Sequence, residues 1–206
     1  MKRTVIRSPL PLACVLTTIA LMGCGQKDIS VSEPNTQDTA DTTAVVAGEL
    51  PSEEDQQSML AAKDALFQKL SGRLMQAMGQ QGPAAAIQVC QKEASQMAAE
   101  VGQATGMRIG RTGVRLRNPQ NQPPAWAKPL TEQRIDTATF VKLDNGDSAA
   151  LLPIKLQSQC LMCHGPEDQI APIISDQLAK LYPADKATGF REGELRGWFW
   201  VQMPSS

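Results

Sequence analysis

The stretch QCLMCHGP, Gln159 to Pro166, contains the only histidine of the 206-residue chain and two of its five cysteines. Its C-x-x-C-H spacing is compatible with four kinds of site: a zinc site, a disulfide, a thiol redox centre or a haem attachment site. The four alternatives predict different proteins, and the rest of the sequence discriminates among them.

The amino terminus has the pattern of an export signal. Three basic residues stand among the first seven positions, and the mostly apolar run Leu10–Met22 is too short for a permanent membrane span. The run ends in LMGC, Leu21 to Cys24, which resembles a bacterial lipobox. We therefore expect residues 1–23 to be a lipoprotein signal peptide and the thiol of Cys24 to carry lipid. The alternative is ordinary secretion, in which Cys24 is incidental.

The residues after the signal predict the location and the domain organisation. Gly25, and not aspartate, follows the lipobox, which by resemblance to lipoprotein sorting favours the outer membrane and its periplasmic face. Residues 24–51 are rich in small polar and acidic residues without an apolar period, which predicts a flexible tether. Residues 52–206 are long enough for one domain with its own core.

The charge of the mature chain argues against nucleic acid as a partner. Loss of the signal peptide removes three of the 20 basic residues and none of the 21 acidic ones, which leaves 17 against 21 and a net charge of −4. No basic run remains that would follow a phosphate backbone.

The cysteine count narrows the alternatives for the motif. Cys90, Cys160 and Cys163 are left once the signal and the lipidated cysteine are set aside, and any disulfide among three thiols leaves one free. Structural zinc sites usually pair two ligand clusters, and Cys90 alone is no cluster. A thioredoxin-like site needs a helix that opens at the first cysteine, which Gly165 and Pro166 do not favour.

Covalent haem accounts for the motif best. In C-x-x-C-H the two thiols, here Cys160 and Cys163, form thioethers with the haem vinyl groups, and the adjacent imidazole, here His164, lies under the iron as the proximal ligand. The attachment takes place on the periplasmic side, where the export signal sends this chain. We therefore expect one haem c.

The second axial ligand remains open from the residues alone. Because there is no other histidine, the candidates are methionine, Cys90, lysine, Tyr182 or water. Pro83 is well placed to begin a helix, and the residues after it form one apolar stripe at intervals of three and four: Ile87, Cys90, Ala94, Met97 and Val101. Most inward-facing cysteines are small buried hydrophobes, and Met97 on the same stripe is a rival ligand.

The remaining elements predict an α+β domain. We expect a helix from Ser52 to about Met78, a strand followed by a proline-rich loop after Gly106, and a hairpin around Asn145-Gly146. A short helix capped by Ser175 and a terminal strand, GWFWVQM, complete a mainly antiparallel sheet of four to five strands.

Arginines are concentrated in the strand and loop after Gly106. They are mostly expected on a solvated face, but a bidentate guanidinium also suits a haem propionate. The candidates for that contact are Arg111, Arg115 and Arg117.

Four motifs together resemble the single-haem c-type domains of PAS-like fold, which occur as small periplasmic or lumenal proteins and as sensory domains. They are AIQVCQKEA, MRIGRTGVRLRNPQNQPPAW, CLMCHG and LYPADKATGFREGELRGWFWV, and the resemblance covers roughly Leu60 to Met203. One departure is Gly113, where the family more often has serine. The resemblance implies helices packed on an antiparallel sheet, and it implies Cys90, rather than Met97, as the distal iron ligand.

A thiolate ligand implies a low reduction potential, and a thiolate that is protonated on reduction could leave a site for a diatomic gas. We therefore expect a lipid-anchored module that senses redox state or a small gas and that passes its signal to a separate redox partner or signalling protein. The alternative is a low-potential electron-transfer cytochrome. An enzyme such as a peroxidase is not expected, because no second histidine could serve as its distal acid-base group.

Overall fold

The computed structural model describes residues 43–205. The predicted signal peptide, residues 1–23, and the predicted lipidation site Cys24 lie outside the described residues, as does most of the predicted tether. Its last part, 43–51, includes the two-residue strand β1, Val45–Val46, which pairs with a later strand of the sheet. The folded unit therefore extends to the amino-terminal side of the predicted boundary at Ser52.

The first helix, α1, spans Glu53–Gln81 and confirms the predicted helix that begins after Ser52. The backbone N–H of Asp55 donates to Ser52 Oγ at 3.1 Å, so the serine caps the first turn, which is acidic as the helix dipole favours. The carboxylate of Asp55 accepts from Ser148 Oγ at 2.7 Å, which joins the start of α1 to the sheet. Gly82 ends the helix with φ +82°, a conformation that favours glycine.

The helix predicted after Pro83 is divided into two. α2 spans Pro83–Lys92 and α3 spans Ala94–Thr105, with Glu93 between them at φ −106° and ψ −24°. The carboxylate of Glu93 receives two hydrogen bonds from Arg73 of α1, at 2.7 and 2.9 Å. Backbone hydrogen bonds continue on both sides of this residue, so the apolar stripe predicted for one helix is preserved across the break.

Within the described residues, the sheet has five antiparallel strands in the order β1-β3-β4-β5-β2, which confirms the predicted α+β class. The strands after β1 are β2 (Arg108–Gly113), β3 (Thr139–Leu143), β4 (Ser148–Lys155) and β5 (Leu195–Met203). β3 and β4 form the predicted hairpin, with Gly146 in the turn at φ +87°. The terminal strand predicted from GWFWVQM is the greater part of β5.

Both faces of the central strands are buried. On one face, Ala150, Leu152 and Val201 pack against α1, α2 and α3 in a core whose largest fully buried helical side chains are Met59 and Leu66. On the other face, alternate residues of the same strands pack beneath a short 3₁₀ turn, Ala125–Ala127, and α4, Lys128–Glu132. A strand covered on both faces reads as a continuous apolar run, as β4 does.

Two short helices follow β4. α5 spans Leu161–His164, directly after a 3₁₀ turn at Ser158–Cys160, and α6 spans Pro172–Leu181. The prediction that Ser175 caps the second of them was wrong: the helix begins earlier, at Pro172, whose fixed φ suits the first helical position. Gly165 and Pro166 were expected to disfavour a helix at the first motif cysteine. A helix does form there, with Cys160 as its N-cap, but it ends after one turn. Within residues 43–205, no helix has both the length and the apolar character needed to cross a bilayer.

Candidate functional site

A mainly apolar cavity of about 350 Å³ lies between α1, α2, the start of α5 and one face of the sheet. Cys160, Cys163 and His164 of the sequence motif line it, and so does Cys90 of α2. Much of its wall is apolar and comes from α1: Phe67, Leu70, Leu74, Met75 and Met78. The structure therefore brings Cys90 to the same cavity as the three motif residues.

Large apolar side chains at the rim of the cavity are exposed to an unusual degree. Phe67 is 47% exposed, Met75 60% and Met162 39%. Exposed apolar side chains around a cavity are typical of a place that another apolar body covers.

The motif itself forms one helical turn that glycine closes. The backbone N–H of Gly165 donates to the carbonyl of Leu161 at 2.8 Å. A Cβ atom at Gly165 would lie 2.6 Å from that carbonyl oxygen, so no larger residue fits without a shift of the backbone. The tight closure holds the side chains of Cys160, Cys163 and His164 at the cavity.

The segment 185–190 clasps the motif through the backbone. The N–H of Phe190 donates to the carbonyl of His164 at 2.9 Å, and the N–H of Gly189 donates to the carbonyl of Gly165 at 2.7 Å. The segment is itself shaped by Asp185, whose Oδ1 accepts from the N–H of Ala187 at 2.7 Å. We call residues 185–190 the clasp.

The clasp also sets the tautomer of the imidazole. Nδ1 of His164 lies 2.7 Å from the carbonyl oxygen of Ala187. Because a carbonyl oxygen can only accept, Nδ1 carries the proton and Nε2 is the nitrogen able to coordinate a metal. Burial, and then the charges of Arg117 and Arg196, hold the pKa of His164 well below its ordinary value. The imidazole is therefore neutral, the form that binds iron.

The three arginines predicted as propionate contacts have different surroundings. The guanidinium of Arg117 is paired with Asp185 at 2.8 Å, and both side chains are 11% exposed. It also donates to the carbonyl of Cys163 at 2.5 Å, so it ties the clasp to the motif. Arg115 is exposed and lies over the ring of Phe190, with 3.9 Å between its Cζ and the ring centroid.

Arg111 and Arg117 both line the cavity, and of the two only Arg117 has a carboxylate partner, Asp185. Burial lowers the pKa of Arg111, while the nearby Cys90 and Tyr182 act in the opposite direction. A buried guanidinium on an apolar wall favours an anionic partner. Arg111 therefore stays the predicted contact for a propionate, while Arg117 already has its carboxylate.

The two candidate distal ligands are separated by the packing. Cys90 is partly buried and lines the same cavity as His164. Met97 is 7% exposed and packs in the core between the helices and the sheet, and it is not among the residues of the cavity wall. Met75 and Met78 of α1 do line the wall.

The cysteine placement also bears on the zinc and disulfide alternatives. Cys90, Cys160 and Cys163 are all free thiols. Among residues 43–205, no three side chains of the His, Cys, Asp or Glu types form a set that could hold a metal ion. The four donors line one cavity without converging as a zinc site requires.

Sequence reasoning missed one residue of the site, Arg196. Its Nε lies 3.3 Å from Nδ1 of His164, and its Nη1 donates to the carbonyl of Arg115 at 2.9 Å. Burial, followed by the charges of Arg117 and Arg111, lowers the pKa of Arg196 to about 10, so it stays charged at neutral pH. The signal in the sequence is a single cation in the otherwise apolar strand LRGWFWV, which is easily read as a solvated edge.

The fold and the site together define a class: an α+β domain in which a C-x-x-C-H motif opens onto an apolar cavity that also receives a cysteine from a packed helix. The model of the Tll0287-like family matches residues 33–204, and the chain belongs to that family. This confirms the resemblance seen in the four sequence motifs.

Among solved structures, the chain is similar to the crystal structure of the cyanobacterial haem protein Tll0287. The TM-score is 0.55 at 24% sequence identity, and the match covers 76% of this chain and 98% of that chain. At this identity the likeness shows a shared fold. No curated protein matches the chain.

We predict that Arg117→Met lowers the free energy of unfolding by about 3–5 kcal/mol, because it leaves the buried carboxylate of Asp185 without its cation. Urea denaturation of the purified protein measures the change. Arg115→Met, two positions away, is the matched control and should cost at most about 1 kcal/mol, the value of an exposed cation–π contact. Equal losses in the two variants would contradict the assignment of Arg117 to the clasp.

Proposed function

We propose that the protein binds one haem c, with thioether bonds from Cys160 and Cys163 and with His164 as the proximal ligand. The observation that carries the proposal is the joint placement of both thiols and a neutral imidazole, with Nδ1 bound to the carbonyl of Ala187, on one apolar cavity. Membership of a family whose solved relative is a haem protein supports it.

The residues present fit the group. The cavity wall is mainly apolar, as the porphyrin face requires, and Arg111 is available on the wall for a propionate. The partly exposed side chains of Phe67, Met75 and Met162 also line the cavity and would offer apolar contacts to the group. When bound, the haem supplies a reversible Fe(III)/Fe(II) couple.

We further propose that Cys90 is the distal ligand. Cys90 lines the same cavity as the motif but belongs to a separate helix, α2. Met97 lies in the core instead. Arg111 lines the same cavity as Cys90, so a positive charge is available near an anionic ligand there. A thiolate stabilises ferric iron, so the potential should be low.

On this basis the protein acts as a redox or small-gas sensing module and not as an enzyme. A thiol that gains a proton when the iron is reduced is a weaker ligand than the thiolate, and its departure would open a site for a diatomic gas. The signal would pass to a separate redox partner or signalling protein.

One observation favours the alternative, a low-potential electron-transfer cytochrome. Met162, between the two motif cysteines, is 39% exposed, so the motif that would carry the haem is accessible at the surface, where electrons can exchange with a partner. Carbon monoxide discriminates between the two functions. Uptake by the reduced protein would favour sensing, whereas a reduced protein that is inert to the gas but exchanges electrons rapidly would favour electron transfer.

Covalent attachment predicts a clear result for Cys163→Ala. The variant should hold haem through one thioether or lose it, which the pyridine haemochrome spectrum and a haem stain on a denaturing gel report. Met162→Leu, which changes the motif without removing a thiol, is the control and should keep both thioethers. An unchanged spectrum for Cys163→Ala would end the haem c proposal.

Distal ligation predicts that Cys90→Ala changes the ferric Soret band and raises the reduction potential, because the anionic ligand is lost. Redox titration with electron paramagnetic resonance measures both effects. Met97→Leu is the matched control, since Met97 lies on the same stripe but in the core, and its spectrum should equal that of the wild type. If Met97→Leu changes the spectrum and Cys90→Ala does not, the ligand assignment is reversed.

The location is also a proposal: a lipoprotein on the periplasmic face of the outer membrane. It rests on the amino-terminal sequence, with its basic residues, apolar run and LMGC ending. We expect Cys24→Ala to move the protein from the membrane fraction to the soluble periplasmic fraction, as followed by immunoblot. Cys14→Ala, inside the signal, should leave the fractionation as it is. Retention of the Cys24→Ala variant in the membrane fraction would refute the anchor.

A further inference from the structure

His164 has a second neighbour at Nδ1 besides the carbonyl of Ala187: the guanidinium of Arg196, on the side of the ring away from Nε2. Nδ1 of His164 already donates to the carbonyl of Ala187 at 2.7 Å, so the N–H of Arg196 Nε, 3.3 Å from the same atom, has no lone pair to bond. The contact is therefore one between a cation and the back of a neutral imidazole. Its charge acts on whatever His164 binds through the opposite nitrogen, Nε2.

The guanidinium is held in this place by the backbone of the loop that follows β2. Its Nη1 donates to the carbonyl of Arg115 at 2.9 Å, and its Cζ lies 5.6 Å from the ring centroid of Phe190 in the clasp. No carboxylate of the described residues forms an ion pair with it, and Asp185 is bound to Arg117. A largely buried cation without its own anion is costly, so its position calls for an explanation beyond stability.

Gly113 provides the space that the guanidinium occupies. A Cβ atom at Gly113 would lie 2.4 Å from Nη1 of Arg196 and 2.9 Å from the carbonyl oxygen of Arg115. Any side chain at position 113 would therefore displace the guanidinium of Arg196 or the Arg115 carbonyl that anchors it.

We propose that Arg196 is a positioning residue for His164 and a fixed positive charge that raises the reduction potential of the haem, with Gly113 as the residue that makes its position accessible. This rests on the proposed attachment of haem at the motif. Ferrous iron carries one positive charge less than ferric iron, so a nearby cation favours the reduced state. The charge of Arg196 would thus oppose the effect of a thiolate ligand, which favours ferric iron.

The test is a redox titration of the purified holoprotein and four variants. Arg196→Gln should shift the Fe(III)/Fe(II) equilibrium at least tenfold toward ferric iron, which for one electron is a potential lower by about 59 mV. Arg196→Lys, which retains the charge, should stay within about threefold of the wild type. Gly113→Ala should shift the equilibrium in the same direction as Arg196→Gln, because it displaces the guanidinium without removing it. Arg191→Gln is the matched control: it removes the exposed charge of the residue that follows the clasp and should leave the potential unchanged.

The outcomes separate this proposal from the proposal of haem binding. A wild-type protein without covalent haem refutes the proposed function before any variant is compared. If haem is attached and Arg196→Gln has the potential of Arg191→Gln, the haem site stands and the role of Arg196 is refuted. If the reduction potential of Arg196→Lys falls as far as that of Arg196→Gln, the proposal is also overturned, because the positive charge would not be the cause of the fall. Should Arg196→Gln fail to retain haem, the Gly113→Ala titration decides: an unchanged potential overturns the proposal.

Discussion

The hydrogen bond from His164 Nδ1 to the carbonyl of Ala187 is the contact on which the site depends. The motif helix is a single turn of four residues, and an isolated turn of that length has no stability of its own. The clasp supplies what the helix lacks: two backbone hydrogen bonds to residues 164 and 165, and an acceptor that orients the ring. The Arg117–Asp185 pair then fixes the clasp to the motif from the other side. The chemistry of one imidazole is thus set by a segment more than twenty residues further along the chain.

Positive charge is concentrated around this neutral imidazole, and the packing gives each arginine a separate task. Arg117 is compensated by Asp185 and serves the architecture. Arg111 lies on the wall of the cavity without a carboxylate of its own, where an anionic ligand group or a thiolate would compensate it. Arg196 lies behind the ring. Buried cations interact strongly with nearby charges because the local dielectric constant is low. Their positions would therefore affect the reduction potential of an iron centre held in the cavity.

The elements with strong local signals could be predicted from the sequence. Ser52 before an acidic turn, Pro83 at a helix start and Asn145-Gly146 between apolar runs each restrict the backbone within a few residues. Two departures from the expectations depend on tertiary contacts. β1 is two residues long and exists because β3 offers an edge, and the break at Glu93 accompanies an ion pair with Arg73 of another helix.

For the site, the sequence by itself determined the chemistry of the motif: two thiols and an imidazole at a fixed covalent spacing, in a chain with no other histidine. It could not choose between Cys90 and Met97, which lie about 10 Å apart along the same helical stripe and look equivalent to any periodicity. Only the tertiary structure placed Cys90 at the cavity and Met97 in the core against α1. The position of each residue depends on the elements that pack over that part of the stripe, and these are distant in the sequence. The same holds for Arg117 and Arg196. Their roles come from Asp185 and Gly113, residues distant in the chain that folding alone brings into contact.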